Sequence, residues 1–280
     1  MNKLGFHCRK LSHIQDRLLS NGLQRGEFYN MPLKDAIDLQ SQVKEHGLAA
    51  SVHTPLVQSP WYPNPPTWAF LCDPDPEKRD LNFRLVEETL HLAQGWAEYV
   101  VVHFPSPPVS HSNGNKEIQN IAEESALKLA QLSHKYGVPI HIEGFGPSPL
   151  LSVDFLRQVL AQCPELRYCF DTGHMNLAAK RDGIDILSFA REMAPYIGSI
   201  HLWNARSFDD YIRFRHIPAH PIQRPEQGWA DIPRLVKTVM AQNDSCAIIM
   251  ESNDSYPEEL GNYDYRDGIA WLKQLISISY

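Results

Sequence analysis

Six short apolar runs in this chain finish on, or just before, a residue able to bind a metal ion. They are Ser51-Val-His53-Thr-Pro, Val101-Val-His103-Phe-Pro, His141-Ile-Glu143-Gly, Cys169-Phe-Asp171-Thr-Gly-His174, Ser199-Ile-His201-Leu and Ile249-Met-Glu251-Ser. Carboxylate oxygens and imidazole nitrogens suit Mn²⁺, Mg²⁺, Co²⁺ or Zn²⁺, and the absence of thiolates in the set disfavours a structural zinc. Taken singly, each residue is as readily a satisfied polar group at a strand end. Taken together, Glu143, Asp171, His201 and Glu251 say more. Three carboxylates on one rim repel one another, and burying them unpaired is costly, unless a cation sits among them.

The spacing says which fold brings them together. The six positions lie 50, 40, 28, 30 and 50 residues apart. A plain βα unit takes ~30 residues, so each gap is one unit with or without an insertion. Val100-Val-Val102, Ile140-His-Ile142, Tyr168-Cys-Phe170, Ser199-Ile200 and Ala247-Ile-Ile-Met250 read as strands buried on both faces. Lys3–Cys8, roughly Arg25–Tyr29 and Leu48–Val52 complete eight, the second being the least clear. Between them lie segments of helical period, expected near 33–46, 79–95, 116–134, 152–162, 184–194, 230–242 and 266–277. Strand-then-helix repeated about eight times predicts an α/β protein with a single (β/α)₈ barrel domain over 1–280. All strand C-termini of such a barrel meet around one rim, which is how residues distant in sequence reach one ion.

Two long irregular stretches, at about 55–78 and 203–229, follow strands and therefore belong to that same active face. The first carries Trp61, Tyr62 and Trp68; both tryptophans there are read as packing their own loop. The second carries Trp203, Trp229, His216, His220 and four arginines. Arg206, nearest the rim, is the expected substrate contact, with Arg213 and Arg224 read as solvated and ion-paired. Trp203 and Trp229 can stack on a sugar face. No Gly-rich turn follows the first strand, which weighs against dinucleotide binding.

Composition narrows the partners. With 26 basic and 33 acidic residues, the formal net charge is −7. That disfavours long duplex nucleic acid. Five widely spaced cysteines without a CxxC pair suggest reduced, mostly buried thiols. The N-terminus lacks an apolar leader, and no run of ~18 apolar residues exists, so a cytoplasmic protein with no membrane association is expected.

In the order of these motifs the chain resembles the xylose isomerase-like barrel superfamily, which includes sugar isomerases, ketose epimerases, inosose-processing enzymes and apurinic endonucleases. The resemblance runs from His7 on the first strand to Glu251 on the eighth. It implies one divalent ion held by Glu143, Asp171, His201 and Glu251, and it makes His174 a contact to substrate or to a further metal. It also implies a mechanism for a carbohydrate-like small molecule. The ion stabilises an ene-diolate while two carboxylates, Glu143 and Glu251, remove and return a proton. The alternative is the phosphoesterase chemistry of the endonuclease branch, which adds strand-three and strand-four histidines, matched by His53 and His103. That branch also carries an Asp-x-His pair after strand seven. This chain has Arg215-His216-Ile-Pro-Ala-His220 instead, leaving His216 or His220 as candidates for that place. Relatives often pair, so a homodimer is expected. A barrel that only binds a ligand would leave the carboxylate cluster unexplained.

Overall fold

Eight parallel strands close on themselves in sequence order: β1 (Leu4–Cys8), β2 (Arg25–Phe28), β3 (Ala49–His53), β4 (Val100–His103), β5 (Ile140–Glu143), β6 (Leu166–Asp171), β7 (Ile197–Leu202) and β8 (Ala247–Met250). β1 pairs with β8 to complete the ring. This computed structural model describes residues 3–62, 69–106, 108, 116–144 and 148–277; Trp68 lies outside them. Nine α-helices occur among the described residues: α1 (Leu33–Glu45), α2 (Pro76–Ala93), α3 (Lys116–Tyr136), α4 (Val153–Gln162), α5 (Thr172–Asp182), α6 (Ile186–Met193), α7 (Phe208–Phe214), α8 (Ile232–Met240) and α9 (Tyr265–Ser277). None of the described helices is long and apolar enough to cross a membrane. The fold is the (β/α)₈ barrel that the strand-and-helix alternation predicts.

Strand periodicity sorts the side chains. On β4, Val100 and Val102 join the large core between barrel and helices, while Val101 joins a small interior cluster with Tyr99, Cys169 and Ala247. The same alternation turns Ile140 and Ile142 outward and Phe170 and Ile200 likewise. It leaves His141 and Glu143, Cys169 and Asp171, and Ser199 and His201 for the barrel interior. Outward residues meet apolar helix faces such as Phe83, Val86 and Leu90 of α2 and Leu235, Val236 and Val239 of α8.

The interior has little room to spare. A Cβ on Gly5 would lie 2.7 Å from Arg25, and one on Gly198 would lie 2.6 Å from the His141 ring. Glycine at those two points admits the large polar side chains of Arg25 from β2 and His141 from β5. His141 is held there by Ser199 Oγ at 2.9 Å and by a stacked Tyr99 ring at 3.9 Å. All five cysteines are free and buried.

Candidate metal centre

The donors converge because strand parity and strand ends coincide. Glu143, Asp171 and His201 are inward-facing residues at or near the C-terminal ends of β5, β6 and β7, and Glu251 follows β8 directly. Each offers one ligand atom, and these four atoms lie within 4.8 Å of one another. His201 Nδ1 sits 3.2 Å from Glu143 Oε1 and 3.0 Å from Glu251 Oε2. A second set, His53, His103 and Glu143, meets the same criterion and shares Glu143. There His53 Nε2 and His103 Nε2 lie 3.1 and 3.4 Å from Glu143 Oε2.

Local structure fixes how each donor is presented. Asp171 caps the N-terminus of α5, its Oδ1 accepting the His174 amide at 2.6 Å. Its Oδ2 accepts the Trp203 Nε1–H at 2.8 Å. Trp203 has no exposed surface and is packed tightly against Gly173, where a Cβ would fall 2.3 Å from the indole. The His216 ring stacks on Trp203 at 4.2 Å, and His216 Nδ1 donates to the Glu251 carbonyl at 2.9 Å. The loop after β7 therefore grips two of the four donors, one through Trp203 and one through His216. His53 Nδ1 donates to the Thr54 carbonyl at 2.9 Å, which turns Nε2 toward Glu143.

The electrostatics fit a cation. Burial pushes the Asp171 carboxyl well above the usual carboxylate range, and the Glu143 and Glu251 charges add to that. Burial acts upward on Glu143 and Glu251 too, but His201, joined by His103 and His53 at Glu143 and by His7 and His216 at Glu251, outweighs it and holds both well below. His201 is itself driven well above its ordinary value: burial lowers it, and the surrounding anionic groups, Glu27, Glu143 and Glu251 among them, more than reverse that. One imidazolium thus neutralises part of a three-carboxylate cluster that leaves Asp171 frustrated. A divalent ion among oxygen donors and one imidazole removes the conflict.

The remaining expected residues fall into two groups. His174 and His216 stay beside the cluster, their rings 5.7 Å apart, but neither belongs to the two donor sets. His220 lies elsewhere, against Tyr256 and Tyr263. Arg206 is paired with Asp210 at 2.7 Å and lies over Trp229. Trp229 is buried with Ile217 and Tyr256. The rings of Trp203 and Trp229, expected on a sugar face, are occupied by protein contacts, because the loop folds into its own small core. Arg213 pairs with Glu259 at the surface. Trp61 packs with Tyr62 and lies under Arg84.

Two rim residues were not singled out from sequence. His7, at the end of β1, is buried with Nδ1 3.6 Å from Glu251 Oε1 and its ring stacked on Tyr29; burial lowers its pKa to about 3. Glu27 of β2 is fully buried, with Oε1 2.7 Å from His201 Nε2. Burial raises its pKa, but the charges of His201, His7 and His53 together prevail and the net shift is downward. The available signal was parity: Glu27 pairs in register with His7 and Ser51, both facing inward.

The family profile of the xylose isomerase-like TIM barrel matches residues 4–275. No curated protein matches the sequence at a significant level. Among solved structures, L-ribulose 3-epimerase superposes with a TM-score of 0.74 at 15% identity, covering 100% of this chain and 96% of that one. D-psicose 3-epimerase from Clostridium cellulolyticum H10, solved with D-tagatose, gives 0.68 at 16%, covering 98% and 94%. The IOLI protein, solved with a binding zinc atom, gives 0.71 at 14%, covering 99% of each chain.

Proposed function

Because the chain belongs to the xylose isomerase-like TIM barrel family, we propose that it is a divalent-metal-dependent isomerase or epimerase of a small carbohydrate, sugar phosphate or cyclitol, with Glu143 and Glu251 as its proton carriers. The observation that carries this reading is the four-donor set in which Glu143 and Glu251 both flank His201 Nδ1. They arrive from β5 and β8, which stand three places apart in the ring, so they reach a shared substrate from different sides. Sugar epimerases among the structural neighbours favour the same class.

A divalent ion held there would polarise a carbonyl and the adjacent hydroxyl and take up charge as the neighbouring C–H loses its proton. The chain's own groups do the rest. Glu143 Oε2 is held by His53 and His103, whereas among the described residues Glu251 Oε1 has looser charged neighbours, His7 at 3.6 Å and His216 at 3.9 Å. The Glu251 side chain is also the more open of the two, at 15% against 2%. Glu251 is therefore freer to exchange a proton with substrate, and Glu143 is the more tightly oriented base. Burial of the cluster keeps water away from the carbanion-like state and strengthens every charge interaction in it.

The test is hydrogen exchange. The metal-loaded protein, given a panel of ketoses, sugar phosphates and inososes in deuterated water, is expected to exchange one C–H beside a carbonyl, read by NMR. Glu143→Gln and Glu251→Gln should each slow it by ~10²–10⁴-fold, the span of general acid–base catalysis. No exchange across the panel by the loaded protein defeats the proposal. The second donor set favours a second reading, two-metal hydrolysis of a phosphoester. Cleavage of an abasic duplex, lost on Glu143→Gln, would replace the first reading with it. The net charge of −7 weighs against that substrate.

A further inference from the structure

Glu27 is a carboxylate in the barrel interior that lies outside both donor sets. It has no exposed surface. Its Oε2 accepts the Ser51 hydroxyl at 3.0 Å. Its Oε1 lies 2.7 Å from Nε2 of His201, while Nδ1 of the same ring faces Glu143 and Glu251. Glu27 is thus one imidazole ring away from the four-donor set. The contact is short but off line: neither Glu27 Oε1 nor His201 Nε2 has an aligned hydrogen-bond partner among the described residues. Such contacts tighten when the centre is occupied. A buried carboxylate is expensive to keep, and an apolar residue of similar size would fill the same space without that cost.

We propose that Glu27 is the positioning residue of the metal centre, taking the Nε2–H of His201 and so fixing the tautomer whose Nδ1 lone pair points at the ion. This rests on the reading that Glu143, Asp171, His201 and Glu251 hold that ion. A histidine ligand presents one nitrogen, and the hydrogen bond at the other decides which one. A carboxylate in that place also makes the imidazole a stronger donor, and losing such a partner costs 10–100-fold in metal affinity. Ser51 holds the second oxygen of Glu27, so the carboxylate plane is set from β3 while its charge acts on β7.

The experiment compares metal affinity with metal-free stability. Wild type, Glu27→Gln, Glu27→Asp and Ser51→Ala are titrated with Mn²⁺ or Zn²⁺ by calorimetry, and their Tm values are read in chelator. Glu27→Gln should bind the ion 10–100-fold more weakly. Its Tm in chelator should fall as well, since the metal-free His201 imidazolium then loses one of its buried counter-charges, so the affinity is what identifies the positioning role. A purely structural Glu27 gives the lower Tm with unchanged affinity. Glu27→Asp, which keeps the charge one methylene short, should recover part of the affinity. In the zinc-loaded wild type, ¹⁵N NMR of His201 should show the proton on Nε2. Affinity of Glu27→Gln within about threefold of wild type, or a proton on Nδ1 of the loaded protein, overturns the proposal. Should Glu27→Gln not fold, Ser51→Ala decides: a severalfold weaker affinity supports the positioning role, and an unchanged one ends it. A wild type that binds no metal refutes the ligand assignment instead.

Discussion

Trp203→Phe separates orientation of a donor from simple packing. The indole Nε1–H reaches Asp171 Oδ2 at 2.8 Å, and the ring has no exposed surface. A hydrogen bond to a charged group contributes ~1.5–3 kcal/mol. The void left when indole becomes phenyl costs ~1 kcal/mol more. In chelator the variant should therefore lose roughly 2.5–4 kcal/mol, or about 5–10 °C in Tm for a chain of this size. Phenylalanine still stacks on His216, so the loop stays folded. Asp171 then keeps only its Oδ1 bond to the His174 amide, and its other oxygen is free to turn. Losing an orienting partner of a ligand weakens metal binding by ~10–100-fold. By linkage, saturating metal then stabilises the variant less than wild type by RT ln of that ratio, ~1.4–2.7 kcal/mol. The gap between the proteins should widen to roughly 4–7 kcal/mol in Mn²⁺ or Zn²⁺. Scanning calorimetry in chelator and in metal reads both gaps. Equal losses in the two conditions would mean that Trp203 only fills space, and the argument for a loop-held Asp171 would fall.

The same packing predicts the fate of Gly173→Ala. Its Cβ would stand 2.3–2.5 Å from three atoms of the Trp203 ring, so urea unfolding should show a loss of at least ~1–3 kcal/mol; a wild-type midpoint would contradict the close approach. A pH effect follows from His141, whose burial between Tyr99 and Ser199 lowers its pKa from 6.5 to about 3. The unfolded chain takes up this proton below pH 6.5 and the folded one only near 3. Its contribution is therefore complete above pH 6.5 and is lost as pH falls through that window, at ~1.4 kcal/mol per pH unit. In chelator, His141→Gln should show a correspondingly shallower decline in denaturation midpoint between pH 6 and 4, and identical slopes would refute the buried neutral imidazole.

Much of the barrel was legible because parallel strands covered on both faces are compact and β-branched. Val100-Val-Val102 and Ala247-Ile-Ile-Met250 announce themselves, and β4 and β8 fall there. β2 does not, since Arg-Gly-Glu-Phe has no β-branched residue and two charges. Its charges face a polar barrel interior, which composition does not distinguish from solvent. α5 was missed for a related reason. Thr172, Gly173 and Asn176 are buried on it, so polar and glycine residues stand where helical periodicity looks for apolar ones. The Asp171-Thr-Gly-His174 turn reads as metal chemistry, yet it is also the helix N-cap. α7 lies inside the stretch read as irregular at 203–229, and its exposed Phe208 and Ile212 break the amphipathic pattern.

The donor set was legible because strand ends are local features and a closed barrel converts them into one rim. What supports it was not, since the supporting contacts join strands and loops with no common spacing: Glu27 to His201, Trp203 to Asp171, His216 to Glu251. Glu143 carries the argument further. Its Oε1 faces the four-donor set and its Oε2 faces His53 and His103. Because Thr54 takes the proton on His53 Nδ1, the Nε2 that faces Glu143 at 3.1 Å needs either a second proton or a cation between them. Burial works against that proton, but the Glu143 hydrogen bond and charge prevail and raise the His53 pKa, while burial keeps His103 low. A proton on His53 and an ion bound by His53, His103 and Glu143 are therefore two fillings of one place. Proton transfer on a sugar needs only the four-donor set, whereas two-metal hydrolysis needs both, so the occupant beside His53 is where the two chemistries part.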